Sequence, residues 1–230
     1  MKWEKTKPFL VEIESRNNLD YNDNNNRKAF LWKKVYIDKE NHMNSKTKWN
    51  RKYLERITIK EEEPKANARL KSLSASLKGG NALDLACGLG GNSFLLADLG
   101  YEVQAFDVSD VAVDFIRERA IHQQLAIKPV VCDLTDLTNI PLERSSFDFV
   151  VITYYLDRSI FPFVKSMVND DGYFFMETFY RSSKWKNEGV SNQYKLASQE
   201  LLNEFREWKV LFFEENEEEG RQTIFCQKNR

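Results

Sequence analysis

Residues 83 to 91, LDLACGLGG, place a carboxylate, a thiol and three glycines directly after a short apolar run. Gly88 and Gly90 lack a Cβ atom, so the backbone there can approach a ligand closely. A dinucleotide-binding loop has the pattern G-x-G-x-x-G/A and holds a pyrophosphate at the start of a helix. Here Ser93 stands at the last glycine position, and Asp84 would repel a pyrophosphate. The pattern therefore favours a cationic or hydrogen-bond-donating ligand, such as one with an amino-acid group.

Two further aspartates follow apolar runs downstream of the glycines. Asp107 ends YEVQAFD, and Asp133 ends IKPVVCD. An acid about 20 residues after the glycines also binds the ribose of NAD, so Asp107 alone discriminates little between ligands. Together with Asp84, however, these acids follow three successive apolar runs. A dinucleotide site has no use for the first or the third of them, so the set as a whole is specific.

Alternating strand and helix patterns would position these acids. The strand-like segments are NALDLAC, YEVQAFD, IKPVVCD, SFDFVVITYY and YFFMETF. Helical segments lie between them, namely GNSFLLADLG, SDVAVDFIRERAIHQQL with Ser109 as its N-cap, and DRSIFPFVKSMVNDDG. This alternation predicts an α/β fold with a mostly parallel sheet and helices on both faces. The three acids would then meet at one edge of the sheet.

The two ends of this domain have other patterns. KLASQELLNEFREW predicts a helix, and KVLFFEENEEEGRQTIFCQK predicts two strands joined by an acidic turn. We therefore predict a seven-stranded Rossmann-like sheet that ends in an antiparallel C-terminal hairpin. Helical spacing also precedes the glycine loop on either side of Pro64, at Trp49, Tyr53, Leu54 and Ile57 and then at Leu70, Leu73 and Leu77. An N-terminal helical extension is therefore expected.

The first part of the chain has a different composition. Residues 1–45 are predicted to form an N-terminal extension, and residues 46–230 the main domain. The Asn-rich segment 15–28 favours turns and predicts a flexible linker. PFLVEI before it could form a strand or a docking peptide, and KAFLWKKVYI after it could form a helix or a strand. The sequence leaves both alternatives open.

The charge balance bears on possible partners. The net charge of the 230 residues is -1, which gives the whole chain no electrostatic footprint for nucleic acid or an anionic membrane. Residues 1–79 hold 19 basic against 11 acidic side chains, a net charge of +8. These basic residues are spread out, which is more typical of solvated helix faces than of an RNA-binding patch. We predict a small-molecule substrate and no nucleic-acid or membrane partner.

The cysteines and the apolar runs bear on metal binding and location. Cys87, Cys132 and Cys226 lie far apart without a C-x-x-C pattern, so neither a zinc site nor a disulfide framework is predicted. No apolar run approaches the roughly 18 residues of a membrane span. The N-terminal residues lack the apolar stretch of a signal peptide. A cytoplasmic location is therefore expected.

The glycine loop resembles a known motif. LDLACGLGGNS is similar to the first motif of class I S-adenosylmethionine-dependent methyltransferases, D/E-x-G-x-G-x-G. Asp84, Gly88 and Gly90 are in register with it, and Ala86 replaces the first glycine. KWNRKY, YYLDRSIFPFV and GYFFMETF extend the resemblance to a tellurite-resistance-type branch of small bacterial methyltransferases, over about residues 46–228. The resemblance implies S-adenosylmethionine as the cofactor.

The resemblance also implies the roles of several residues. Asp107 would accept hydrogen bonds from the ribose hydroxyls, and Asp133 would bind the adenine amino group. In that branch a W-N/D-x-R-Y motif on the N-terminal helix covers the cofactor, and here Lys52 replaces the Arg, without its bidentate fork. The full implied cofactor set is Trp49, Lys52, Tyr53, Asp84, Ala86, Cys87, Gly88, Gly90, Asn92, Asp107, Val108, Asp133, Leu134, Thr153 and Tyr154.

Methyl transfer from a sulfonium needs positioning and desolvation more than a nucleophile of the enzyme. Candidate catalytic residues are Tyr154 and Glu177. Glu177 is notable because an acid within an apolar strand end is costly to bury without a partner. Asp157 has the alternative role of a helix N-cap, and Arg158 could pair with it or with a surface acid. The candidate substrate-binding residues are Tyr155, Asp157, Arg158, Glu177 and Tyr180.

Three functions are compatible with this pattern. The first is a methyltransferase acting on a small-molecule nucleophile, with tellurite or a thiol as candidate acceptors. The second is an RNA or protein methyltransferase that uses the basic N-terminal region. TYYLD lacks an N/D-P-P-Y motif, which weighs against methylation of an exocyclic base nitrogen. The third is a non-catalytic module that binds S-adenosylmethionine.

Overall fold

A computed structural model describes residues 10–16, 30–36, 44–59, 63–137, 140, 142, 144–185 and 189–230. The chain divides into two units, Met1–Asn44 and Ser45–Arg230. In the first unit, strands β1 (Leu10–Arg16) and β2 (Phe30–Tyr36) pair antiparallel. The described parts of the two segments that the sequence left open, residues 10–13 and 30–36, thus lie in strands. Most of the predicted Asn-rich linker lies outside the described residues.

A seven-stranded sheet organises the described part of the second unit. Its spatial order is β5-β4-β3-β6-β7-β9-β8. Neighbours from β5 to β7 are parallel, whereas β9 is antiparallel to both β7 and β8. This arrangement confirms the predicted Rossmann-like fold with its antiparallel C-terminal hairpin. The strands are β3 (Gly80–Leu85), β4 (Tyr101–Asp107), β5 (Ile127–Val131), β6 (Phe147–Thr153), β7 (Val168–Phe179), β8 (Lys209–Asn216) and β9 (Arg221–Gln227).

Helices precede and connect these strands. They are α1 (Ser45–Thr58), α2 (Ala68–Leu73), α3 (Gly91–Asp98), α4 (Asp110–Gln123), α5 (Ile160–Met167) and α6 (Glu200–Glu204). The Ser109 side chain accepts a hydrogen bond from the backbone N–H of Ala112, which confirms it as the N-cap of α4. Among the described residues, no helix has both the length and the apolar character that crossing a membrane requires.

Two helices are shorter than the sequence predicted. The helix expected over residues 157–172 ends at Met167, because Val168 already pairs with Phe147 of the neighbouring strand. The segment after it, NDDG, contains poor helix formers. The helix expected over residues 195–208 is only α6, because Leu196 forms a bridge beside β7 and donates its N–H to the Phe179 carbonyl.

The core has two layers, one on each face of the sheet. Alternate residues of β3 and β6 point to opposite layers, with Leu83 and Ile152 in one and Ala82 and Phe149 in the other. All four side chains are fully buried. Burial of a side chain as large as those of Leu83, Ile152 and Phe149 stabilises the fold by roughly 1.5–3 kcal/mol. The carboxyl ends of these strands are therefore rigid supports for the residues that follow them.

Candidate functional site

A cleft of about 580 Å³ opens beside the carboxyl ends of the parallel strands. Strand β3 lies between β4 and β6, so the strand order reverses at this point. Open α/β sheets bind ligands at such switch points, and the volume is within the range of small-molecule sites. The lining comes from α1, from residues 64–68, from the loops after β3, β4, β5 and β6, and from Arg221 at the start of β9.

The loop after β3 brings backbone to the cleft wall. Ala86 and Gly88 line the cleft, and both have a φ of 55°, in the left-handed region that favours glycine. Gly90 is buried and does not line the cleft. It faces α4, where a Cβ atom would lie 2.8 Å from the side chain of Ile116. Gly88 therefore leaves the cleft wall without a side chain, whereas Gly90 packs against α4.

Gly91 starts α3 and supports the opposite wall of the cleft. A Cβ atom at this position would lie 2.2 Å from the carbonyl oxygen of Lys65. Residues 64–68 therefore pack directly on the start of the helix. Asn92 reinforces the contact, since its Oδ1 accepts a hydrogen bond from the backbone N–H of Asn67 at 2.9 Å. The Nδ2 of Asn92 donates to the hydroxyl of Thr153 at 3.0 Å, which joins this wall to the end of β6.

Asp84 is fully buried beneath the glycine loop. Its Oδ2 accepts a 2.6 Å hydrogen bond from the hydroxyl of Ser93 on α3. In the described part of the chain its Oδ1 has no hydrogen-bond partner. Burial raises the pKa of this carboxyl to about 7. A buried carboxylate oxygen without a donor is costly, which favours the protonated form, and Asp84 does not itself line the cleft.

Asp107 ends β4 and is only 4% exposed. Its Oδ1 accepts a hydrogen bond from the backbone N–H of Ser109, and its Oδ2 accepts one from that of Gly88, each at 2.9 Å. The Tyr53 hydroxyl lies 3.4 Å from the same Oδ2. Burial raises the pKa of Asp107. These contacts hold the carboxylate in one orientation at the cleft wall, next to Val108.

The third acid lies at the open end of the cleft. Asp133 follows β5 and is exposed, and its Oδ1 accepts hydrogen bonds from the N–H and the hydroxyl of Thr135. Leu134 beside it is buried but also lines the cleft. A carboxylate next to an apolar side chain can bind a planar ring that carries an amino group. Asp107 and Asp133 thus share one cleft, and Asp84 lies at the end of the strand beside them.

Helix α1 covers one side of the cleft. Trp49 and Tyr53 line it and stack on each other, with ring centroids 5.5 Å apart. Burial, followed by the charge of Asp107, raises the pKa of Tyr53. Lys52 does not line the cleft in the described structure. It is exposed, and its Nζ lies 4.6 Å from the centroid of the Trp49 ring.

A buried carboxylate organises the other side of the cleft. Glu177 on β7 is 0% exposed and does not itself line the cleft. Its Oε1 accepts hydrogen bonds from Asn67 Nδ2 at 2.7 Å and from the Tyr154 hydroxyl at 2.8 Å. The remaining partners are Thr223 Oγ1 at 2.9 Å from Oε2, Arg69 Nη1 at 3.4 Å from Oε2 and Arg221 Nη1 at 3.5 Å from Oε1. This Glu177 cluster compensates the buried charge with two guanidinium groups.

Tyr154 connects the Glu177 cluster to the cleft. It lines the cleft, has a left-handed φ of 58°, and donates its backbone N–H to the Glu177 carbonyl. Burial, followed by the charge of Glu177, raises the pKa of its phenol to about 12. Tyr154 is therefore neutral at pH 7. The strained backbone costs on the order of 1–3 kcal/mol and persists only where surrounding contacts fix it.

Replacement of Asn67 separates two roles of that side chain. Its Oδ1 caps α2 by accepting from the N–H groups of Arg69 and Leu70, while its Nδ2 donates to Glu177. Asn67→Ser retains a good cap but loses the contact with Glu177, so we expect a loss of about 1–2 kcal/mol in unfolding free energy. Asn67→Ala should lose roughly 1 kcal/mol more. Urea unfolding measures both variants, and equal losses would contradict the capping role.

Several candidate substrate residues lie outside the cleft. The Asp157 carboxylate accepts hydrogen bonds from the N–H and hydroxyl of Ser159. Ser159 is the N-cap of α5, and in the described structure no side chain caps this helix, so the capping alternative for Asp157 is wrong. Arg158 forms a two-point ion pair with Glu200 of α6. Tyr180 is buried in the core. Of the candidate substrate set, Tyr155 lines the cleft, and Glu177 reaches it through Tyr154.

Two cysteines line the cleft. Burial raises the pKa of the Cys87 thiol well above its usual value, and the charges of Asp84 and Asp107 add to this. Burial also raises the pKa of Cys132. Because the thiolate is the nucleophilic form of cysteine, both side chains are weak nucleophiles at neutral pH. They act here as small apolar wall residues.

The sequence did not single out Asn67, Arg69, Arg221 or Thr223. Asn67 had a local signal, because an Asn directly before an apolar helical repeat is a preferred N-cap. Arg221 had none, since its position depends on the antiparallel register that pairs it with Phe179. Asn67 and Arg221 both line the cleft.

Two solved structures share the fold of this chain. The crystal structure of TehB from Haemophilus influenzae matches with a TM-score of 0.65 at 23% identity, covering 77% of this chain and 67% of that chain. A geranyl diphosphate C-methyltransferase from Streptomyces coelicolor A3(2), in complex with S-adenosyl-L-homocysteine, matches with a TM-score of 0.57 at 14% identity, covering 71% and 77%. The chain therefore has the fold of S-adenosylmethionine-dependent methyltransferases.

The sequence places the chain more narrowly within this class. The family model for tellurite resistance protein TehB matches residues 35–229, and the chain belongs to this family. A probable S-adenosyl-L-methionine-dependent methyltransferase TehB from Haemophilus influenzae is 28% identical over 141 residues. That match covers 58% of this chain and 48% of the relative. The chain thus aligns with about half the length of that relative.

Proposed function

We propose that this chain is an S-adenosylmethionine-dependent methyltransferase that acts on a small-molecule nucleophile, with tellurite and thiols as candidate acceptors. The observation that carries the proposal is the position of Asp84, Asp107 and Asp133 at the carboxyl ends of three adjacent parallel strands. Membership of the TehB family supports it. The fold of the Streptomyces coelicolor enzyme, which was solved with S-adenosyl-L-homocysteine, supports the choice of cofactor.

The residues of the cleft fit this cofactor. Asp107 can accept hydrogen bonds from vicinal ribose hydroxyls, and Gly88 lets the backbone approach a ligand. Asp133 and Leu134 can bind an adenine by its amino group and its face. Asp84 does not line the cleft, and from beneath the glycine loop its carboxylate would favour a cationic amino group only through its charge. When bound, the cofactor supplies a methyl group on a sulfonium, which is already activated for transfer.

The protein's own contribution to the reaction is positioning and exclusion of water. Trp49 and Tyr53 cover the cleft on one side, and Tyr154 and Tyr155 form the wall on the acceptor side. Tyr154 keeps its proton at pH 7, so we assign it an orienting role, with Glu177 fixing its hydroxyl. An acceptor that arrives deprotonated, such as an oxyanion or a thiolate, needs no base.

Calorimetry with S-adenosylmethionine, S-adenosylhomocysteine and NAD tests the cofactor. We expect micromolar binding of the two sulfur nucleosides and none of NAD. Failure of both sulfur nucleosides to bind would overturn the proposal.

Product analysis tests the reaction. Incubation with S-adenosylmethionine and either tellurite or dithiothreitol should form S-adenosylhomocysteine only when the acceptor is present. Binding of the cofactor without product from any acceptor would indicate a non-catalytic module. RNA binding that falls steeply as salt rises would instead favour a macromolecular acceptor.

A further inference from the structure

The strand ends give the cleft a direction. Asp133 follows β5, Asp107 ends β4 and Gly88 follows β3, and these three strands are neighbours in that order. In the proposed function the adenine lies at Asp133 and the ribose at Asp107. Because the ribose lies between the adenine and the rest of S-adenosylmethionine, the amino-acid group then extends toward the loop after β3. Gly88 leaves that part of the cleft wall without a side chain, which gives the group room.

Helix α1 crosses the cleft in the same direction. Near the start of the helix, Lys46 forms a 3.2 Å ion pair with Asp110, which begins α4 just after β4. Further along, the Tyr53 hydroxyl lies 3.1 Å from the place that a Cβ atom on Gly88 would take, in the loop after β3. The contacts of α1 thus move from the end of β4 to the loop after β3. The last turn of α1, which contains Arg56, therefore lies at the β3 end of the cleft.

Arg56 is a half-buried cation on the wall of this part of the cleft. It follows Tyr53 by three residues, so the two side chains lie on the same face of α1. Burial and the charge of Asp107 raise the pKa of Tyr53, whereas the charge of Arg56 lowers it. The guanidinium is therefore close to the phenol, and the phenol is close to Gly88.

Other cations are less well placed for a negative group at this end. In the part of the chain that the structure describes, the cations that line the cleft are Arg56, Lys65 and Arg221. Arg221 belongs to the Glu177 cluster, and Lys65 is exposed. Lys52, which the motif places in the cofactor set, is exposed and does not line the cleft. Arg56 is therefore the cation best placed beside the loop after β3.

We propose that Arg56 binds the carboxylate of the S-adenosylmethionine amino-acid group, in place of Lys52. The inference rests on the proposed function, because it takes the ribose to lie at Asp107. A guanidinium presents N–H groups in a fixed fork that matches two carboxylate oxygens, whereas a lysine offers a point charge. Its five donors let it bind a carboxylate beside its other contacts. The cofactor contact that the motif predicts at Lys52 is thus made one helical turn later.

Two ligands that differ in one group test this assignment. Decarboxylated S-adenosylmethionine retains the adenosine, the sulfonium and the amino group, and lacks only the carboxylate. We define the discrimination ratio as the Kd for this ligand divided by the Kd for S-adenosylmethionine, both measured by calorimetry. In the wild-type protein the ratio should be about 10 to 100, because charge-assisted hydrogen bonds are lost with the carboxylate. Arg56→Met should lower the ratio about tenfold or more, and Arg56→Lys, which keeps the charge, should give an intermediate ratio.

Two further variants of α1 separate this role from general effects of charge. Arg51→Met removes a positive charge at an exposed position, and Lys52→Met removes the residue that the motif favours. Both should leave the discrimination ratio unchanged. A fall of the ratio in Lys52→Met but not in Arg56→Met would overturn the inference. So would a wild-type ratio close to 1.

The ratio also separates carboxylate binding from a structural role of Arg56. If the substitution only disturbed the packing of α1, both Kd values would rise alike and the ratio would stay at its wild-type value, which would overturn the inference. Absence of binding of either ligand to the wild-type protein would refute the proposed function itself. Wild-type binding with an unchanged ratio in Arg56→Met would refute only the role of Arg56.

Discussion

Asp107→Asn is expected to raise the Kd for S-adenosylhomocysteine by at least about 100-fold. A carboxylate that accepts two ribose hydroxyls contributes two charge-assisted hydrogen bonds, each of about 1.5–3 kcal/mol. The amide can accept only on its oxygen, and its NH₂ group would face a backbone N–H donor at Gly88 or Ser109. The variant thus loses both the charge and the fixed orientation of the acceptor. Calorimetry measures the change in affinity.

The same substitution also affects the fold, which must be measured separately. An unpartnered N–H at Gly88 or Ser109 costs about 1–3 kcal/mol, so unfolding free energy should fall by a similar amount. Circular dichroism at the temperature of the binding experiment should still show a folded protein. Asp98→Asn, at the exposed C-terminal end of α3, is the matched control and should leave Kd unchanged. A folded Asp107→Asn protein that binds with nearly wild-type affinity would contradict the assigned role.

Asp84→Asn is expected to change how stability depends on pH. The pKa of Asp84 is about 7 in the folded protein and about 3.9 when unfolded. Between these values the unfolded chain releases its proton while the folded protein keeps it. The wild-type protein therefore loses stability as pH rises from about 4 to about 7, and the loss is complete above pH 7. The amide of the variant does not titrate in this range, so the variant escapes this loss.

The magnitude follows from the size of the pKa shift. Three pKa units correspond to roughly 4 kcal/mol, so the unfolding free energy of the variant minus that of the wild type should rise by up to this amount between pH 4 and pH 8. Urea unfolding of both proteins at both pH values measures this difference in unfolding free energy. The contributions of the other titrating groups cancel, because both proteins contain them. Asp98→Asn again serves as the control. A difference that stays constant with pH would show that Asp84 is ionised in the folded protein throughout this range.

The acids at the strand ends were predictable because their signal is local. In a parallel sheet each strand ends at the same edge, so an acid that follows an apolar run has a known place before any contact is known. Asp107 and Asp133 needed only the strand boundaries, and those were nearly correct. The fold class followed from the same alternation of patterns.

The acceptor side was less predictable because its contacts are distant in sequence. Glu177 was singled out as an acid in an apolar strand, but its partner Asn67 lies 110 residues away. Arg221 reaches Glu177 only through the register of two antiparallel strands. Arg158 was singled out from the sequence, but its position in a loop did not decide between a substrate role and an ion pair. In the structure the Arg158 side chain pairs with Glu200, outside the cleft.

Gly91 has a consequence for the diversity of such proteins. A side chain at this position cannot coexist with the carbonyl of Lys65 at its present place, so any larger residue would push residues 64–68 outward. That strip carries Asn67, and its displacement would widen the mouth of the cleft without touching a ligand. The absence of a side chain at position 91 therefore sets where the wall of residues 64–68 can lie, and substitution at this one site offers a route to altering the shape of the cleft by design.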